Sequence, residues 1–191
     1  MNVCDCSWNQ PPTNVILQQD EVHVWYASLD GFASSLSWLA STLNSDERAR
    51  AERCFYEQEK KRFIAARGLL RTILGYYTGI EPGDLQFCYS PLGKPLLETC
   101  SGSKIRFNLA HAHGFALYAI TFDHEIGVDL EYIEPFAEAD RIVHRFFTDE
   151  ENTVFDTFTL IEKTEAFFRY WTCKEAYLKA CGEGLTHPLD Q

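Results

Sequence analysis

Three short runs carry side chains whose types and spacing suit phosphate or metal chemistry. In Gly127-Val-Asp129-Leu-Glu131 the carboxylates are two apart. In an extended chain they project from one side, with apolar neighbours turned the other way. Two such carboxylates repel unless a cation lies between them, and a hard divalent ion shared with phosphate oxygens is the natural partner. Acidic pairs at strand ends are also common on ordinary surfaces. In the run from Phe168 to Gly184, Trp171, Glu175 and Lys179 are four apart and make one helical stripe of aromatic, acid and ammonium. That stripe suits a partly desolvated acid beside a phosphate-binding cation, or a plain i,i+4 ion pair next to a core tryptophan. In Phe107-Asn-Leu-Ala-His111-Ala-His113-Gly114 the histidines share a strand face and suit zinc, a phosphate, or simple hydrogen bonding. Gly93-Lys94-Pro95 is a turn that presents a lysine.

Composition narrows the chemistry. A net charge of -11 argues against non-specific nucleic-acid binding. Yet eight of the 17 lysines and arginines fall between Arg48 and Arg71, among them Arg53, Arg62 and Arg67. A basic window in an acidic chain suits a small polyanion, or else a solvated helix face. The seven cysteines show no C-x-x-C spacing, so free thiols in a reducing, cytoplasmic setting are expected. Cys4 and Cys6 lie in a polar leader, residues 1–20. No apolar run reaches membrane-spanning length, and neither a membrane nor a nucleic-acid partner is expected. A zinc hydrolase built on His111, His113 and the Asp129/Glu131 pair would need further ligands, and the other histidines supply no such pattern.

The elements that must hold these residues follow from periodicity. Alternation from Glu21 to Ala27 predicts an opening strand. Ser45-Asp-Glu starts a helix to about Arg53, and a second runs from about Glu57 to Tyr77. The stripe of the second is Phe63, Ala66, Leu70, Ile73, Leu74 and Tyr77, with Gly79 as its stop and Arg67 and Arg71 on one face. Strands are expected at Leu85–Tyr89, Ile105–Leu109, Ala116–Phe122 and Ile126–Glu131. Helices return at Arg141–Phe147, after a Thr148-Asp-Glu-Glu151 capping box, and from about Glu162 to Cys181, closed by Gly182-x-Gly184. Strands and helices thus fall into two groups, an α+β pattern of an N-terminal half, 21–123, and a C-terminal half, 124–191.

Taken in order, G-K-P, F-N-L-x-H, G-V-D-L-E, F-F-T and W-x-x-K-E-A-x-x-K-x-x-G-x-G-L resemble the Sfp-type 4'-phosphopantetheinyl transferases. The likeness runs from about Glu21 to the last residue and is greatest to cyanobacterial members. It implies a pseudo-dimer of two similar α/β halves, acting as a monomer, with coenzyme A in the cleft between them. It implies Asp129, Glu131 and Glu175 as ligands of Mg2+, or Mn2+, which also holds the coenzyme A pyrophosphate. Glu175 would take the proton of a serine on an acyl or peptidyl carrier protein, and Lys179 would stabilise the leaving 3',5'-ADP and contact coenzyme A. Lys94 and His111 would hold nucleotide phosphates, with Arg62 and Arg48 or Arg53 completing that pocket. Two positions depart from the family pattern: Ala110 replaces the usual serine, and Ala51 or Glu52 a usual basic residue. Relatives continue past G-x-G-L through further strands, so the second half is expected to be incomplete. A degenerate coenzyme A- or carrier-binding protein without turnover is the alternative expectation.

Overall fold

The apolar alternation after Glu21 forms β1 (Val22–Ser28) in a computed structural model that describes residues 15–98 and 103–182. β1 pairs antiparallel with a strand almost a hundred residues downstream. That strand, called β5 below, is Phe115–Phe122, in a register joining Val22 to Thr121 and Ser28 to Phe115.

After β1 a 3-10 turn, Leu29–Ser35, leads into α1 (Leu36–Thr42). Neither was expected, because each is too short to show a helical period. α2 (Ser45–Glu52) follows, but its cap is Asn44, one residue before the expected start. The Asn44 side chain accepts from the Glu47 amide at 2.9 Å, and the Glu47 carboxylate accepts from the Asn44 amide at 3.1 Å. α3 (Glu57–Thr78) has the predicted extent and ends at Gly79 with φ +69°. Its Ala66, Leu70, Ile73 and Leu74 are buried as predicted and meet Phe107, Tyr118 and Ile120 of the sheet.

The face carrying Arg67 and Arg71 turns inward as well. Both guanidiniums close on Glu47, Arg67 Nη2 at 2.7 Å from Oε1 and Arg71 Nε at 2.7 Å from Oε2. Arg71 also donates to the carbonyls of Pro82 and Leu85, both at 2.9 Å. Charges so deeply buried must be paired, and these are. Two of the eight cations of the basic window therefore belong to the core rather than to a ligand.

A small hairpin comes next, β2 (Phe87–Tyr89) with β3 (Pro95–Leu97). β2 starts two residues later than expected because Leu85 drops into the core at 1% exposure. β4 (Ile105–Ala112) and β5 make the larger hairpin, so the main sheet has the order β1-β5-β4. His113 and Gly114 form its two-residue turn, both with positive φ, as the twist of such a connection requires.

Beyond β5 the described chain is helical: α4 (Ala139–Phe146), α5 (Asp149–Asp156) and α6 (Leu160–Cys181). Thr148 and Glu151 form the predicted capping box, and Thr159 with Glu162 forms another ahead of α6. These helices close a second core of Val143, Phe147, Phe155 and Phe167. The expected strand Ile126–Glu131 does not form. Its Val128 amide donates to the Asn108 side chain at 2.9 Å instead of to a neighbouring strand, and its backbone lies against α6. Among the described residues 124–182 there is consequently no strand, so the architecture is a mixed α+β arrangement with its sheets in the first part of the chain.

Cys54, Cys88, Cys173 and Cys181 are free thiols. Among the described residues no helix is long and apolar enough to cross a membrane. Cys4, Cys6, Cys100 and Gly184 lie outside the described residues.

Candidate active site

α6 puts Glu175 and Lys179 one turn apart, and the unpaired segment after β5 brings Asp129 and Glu131 against them. Asp129 is nearly enclosed, its side chain 6% exposed. Its Oδ1 accepts from Lys179 Nζ at 2.6 Å, while its buried Oδ2 has no hydrogen-bond partner. An orphaned carboxylate oxygen is expensive to bury, so this one marks a place for a cation or water.

The surrounding acids feel the same field. Burial pushes the Glu175 carboxyl above its ordinary range, with Asp129 and Glu131 adding to the push and Lys179 opposing it. Glu131 is raised by partial desolvation and by Asp129, against the pull of Lys179 and His113. Three carboxylates therefore crowd one positive charge. They are neighbours rather than a closed cage: among the described residues no group of three or more His, Cys, Asp or Glu is arranged to hold a metal ion as it stands. The donor set itself, all oxygen and short of positive charge, matches a hard divalent ion.

Beside this cluster opens a cleft of about 240 Å³ lined by Lys94, Asn108, Glu175, Lys179 and Gly182. Lys94 enters from the turn before β3 with its side chain 9% exposed. Its Nζ donates to Glu125 at 2.9 Å and to the Ala180 carbonyl at 3.0 Å. His111 stands near the end of β4 and is exposed by area. Desolvation, then the charge of Lys179, lowers its pKa. His113 does not pair with it; at the turn it stacks on Tyr132, ring centroids 4.1 Å apart.

The expected arginines separate. Arg62 donates to Asp30 from Nε at 2.8 Å and Nη2 at 2.7 Å. It lies against the β4–β5 turn, since a Cβ on Gly114 would stand 2.9 Å from its Nη2. Arg48 is held by the carbonyls of Leu43 at 2.8 Å and Ser41 at 3.0 Å, beside a separate hollow between α1 and α2. Arg53 is exposed at the C-cap of α2 and lines neither hollow. The structure thus gathers Asp129, Glu131, Glu175, Lys179 and Lys94, with His111 close enough to feel Lys179, and does not bring Arg48 or Arg53 to them.

Sequence reasoning gave no role to Asn108, Glu125 or Tyr132. Asn108 had a signal: a lone amide between Phe107 and Leu109 in an apolar strand needs a partner. Glu125 and Tyr132 find their partners only through tertiary contact.

An acidic, cation-poor cluster flanked by lysines, at a cleft between a hairpin and a long helix, has the chemistry that suits a phosphate-bearing ligand. The chain belongs to the 4'-phosphopantetheinyl transferase superfamily, whose family model matches residues 125–191, while the model of the 4'-phosphopantetheinyl transferase N-terminal region matches 25–122. It is 45% identical to the 4'-phosphopantetheinyl transferase HetI of Nostoc sp., over 94% of this chain and 76% of that protein. It is 26% identical to the 4'-phosphopantetheinyl transferase Sfp of Bacillus subtilis, over 78% of this chain and 65% of that protein. A phosphopantetheinyl transferase of Thraustochytrium sp. is 26% identical over 89% of this chain and 64% of its own length.

Proposed function

We propose that this chain transfers the 4'-phosphopantetheine group of coenzyme A to a serine of an apo acyl or peptidyl carrier protein and releases 3',5'-ADP. The observation that carries the reading is the buried, partnerless Asp129 Oδ2 beside Glu131 and Glu175, two carboxyls that their surroundings hold above the ordinary range. Asp129, Glu131 and Glu175 would hold Mg2+ or Mn2+, which when bound supplies charge neutralisation to the pyrophosphate. The crowding of three carboxylates and the orphaned oxygen fit such an ion.

The chain's own groups divide the remaining work. Glu175 accepts the proton of the attacking serine hydroxyl. The new bond joins the serine oxygen to the β-phosphorus. The bond that breaks is from that phosphorus to the bridging oxygen, which departs with 3',5'-ADP. Lys179, an ammonium beside the acids, stabilises the charge on the departing phosphate. Lys94 would exchange Glu125 for a nucleotide phosphate oxygen. Desolvation and the charge of Lys179 favour the neutral form of His111 in the free chain, and an approaching phosphate would favour its protonation. Arg62, at the turn just beyond His111, would complete that end of the pocket. Arg48 and Arg53 would reach it only by leaving their present positions. In this reading the ligand lies between two halves, 21–123 and 124–191, of a pseudo-dimeric fold.

The test is the intact mass of an apo carrier protein after incubation with the purified chain, coenzyme A and Mg2+, with Glu175→Gln as control. The expected result is a phosphopantetheine mass increment that requires Mg2+ and is lost in the variant. A folded chain that binds coenzyme A without modifying any carrier would instead be a binding module.

A further inference from the structure

We propose that Asn108 and Gly127 are positioning residues that clamp the Asp129/Glu131 segment between β4 and α6 and so set the affinity of the acidic cluster for a divalent cation. The inference rests on the reading of Asp129, Glu131 and Glu175 as the metal-holding set.

Asn108 stands in the middle of β4, 4% exposed, between Phe107 and Leu109. A buried amide in such a run is costly unless it is bonded. Its Oδ1 accepts from the Val128 amide at 2.9 Å. Val128 directly precedes Asp129, so a side chain of the sheet fixes the backbone one residue from the enclosed carboxylate. The segment has no strand partner to fix it otherwise.

Gly127 supplies the opposite jaw. A Cβ there would run into the Ala176 carbonyl oxygen and lie 2.5 Å from the Ala180 nitrogen. Backbone therefore touches backbone, at the two residues that directly follow Glu175 and Lys179. Any side chain at 127 would push the segment off the helix and carry Asp129 away from Lys179 and Glu175. Partners that orient metal ligands from outside the coordination sphere typically change metal affinity by about 10–100-fold when removed.

The full chain would be titrated with Mn2+, following free Mn2+ by electron paramagnetic resonance and the Val128 amide by hydrogen exchange. In Asn108→Ala the expected results are a Mn2+ dissociation constant raised by about 10–100-fold, lost protection at Val128 and unchanged helix content. Asn108→Asp keeps the acceptor oxygen, so protection is retained and Mn2+ binds at least as tightly as in the parent chain. Gly127→Ala leaves Asn108 intact and is expected to weaken Mn2+ as Asn108→Ala does. Unchanged Mn2+ affinity in a folded Asn108→Ala, or in Gly127→Ala should the first not fold, overturns the clamp while leaving the metal reading intact. Failure of both variants to fold assigns the contacts to the fold alone and also overturns it. If the parent chain binds no Mn2+ and Asp129→Asn makes no difference, the metal reading and the clamp fall together.

Discussion

Glu175 is an acid whose surroundings oppose its ionisation, first by burial and then by Asp129 and Glu131. Its folded pKa lies above the unfolded one, so at neutral pH its charge works against the fold, and protonation at lower pH relieves that. Without divalent metal, Glu175→Gln is expected to melt above the parent chain at pH 7, the difference shrinking as pH falls through the raised pKa. Paired thermal melts across that range check it; a constant difference would contradict it. His111 has the opposite sign. Its folded pKa is lowered, so its contribution to stability is complete above the ordinary value near 6.5 and declines as pH falls below it. Its NMR titration should be displaced downward in the free chain and upward again on adding 3',5'-ADP. The placing of Glu175 beside Lys179 was legible in the sequence because an i,i+4 spacing on a long helix is a local fact, whereas the approach of Asp129 to Lys179 depends on how the segment after β5 packs on α6. The places of Arg48 and Arg53 were not legible, because their present partners and exposure are set by the packing of α1 and α2.

At the scale of elements, α2 and α3 are joined less by their apolar faces than by Glu47, whose carboxylate caps its own helix and receives both Arg67 and Arg71. Glu47→Gln keeps the shape, loses the charge and leaves two guanidiniums buried at 9% and 0% side-chain exposure. Breaking such a cluster costs about 3–5 kcal/mol, which urea unfolding would register. By contrast, Thr159→Ala at the exposed start of α6 should cost only about 1 kcal/mol, the usual worth of one cap. The helix α3 and the β4–β5 hairpin could be foreseen because a 22-residue stripe and a paired alternation each specify themselves. Ile126–Glu131 misled for the same reason in reverse. Its alternation is that of a strand, but a strand needs a neighbour, and what lies beside it is one asparagine and a helix.

Over the whole molecule, two apolar cores are bridged by polar contacts near the cleft: Asn108 to Val128, and Lys94 to the Ala180 carbonyl. Lys94→Met would remove a charged donor from the last turn of α6. A loss of about 1.5–3 kcal/mol is expected, with faster amide exchange in that turn; its bond to the exposed Glu125 contributes little. The first core has a feature of a different kind. β1 is the earliest of the described strands, yet its partner β5 ends at Phe122. At synthesis rates of about 5–20 residues per second, roughly 5–20 s separate the appearance of Val22 from that of Thr121. Throughout that interval Trp25 and Ala27, the β1 residues that pack on the first core, are on the growing chain ahead of the strand that β1 pairs with. The growing chain is most exposed to misassociation before its sheet can close, and slowing translation upstream of β4 should lower the soluble yield more than slowing it after β5.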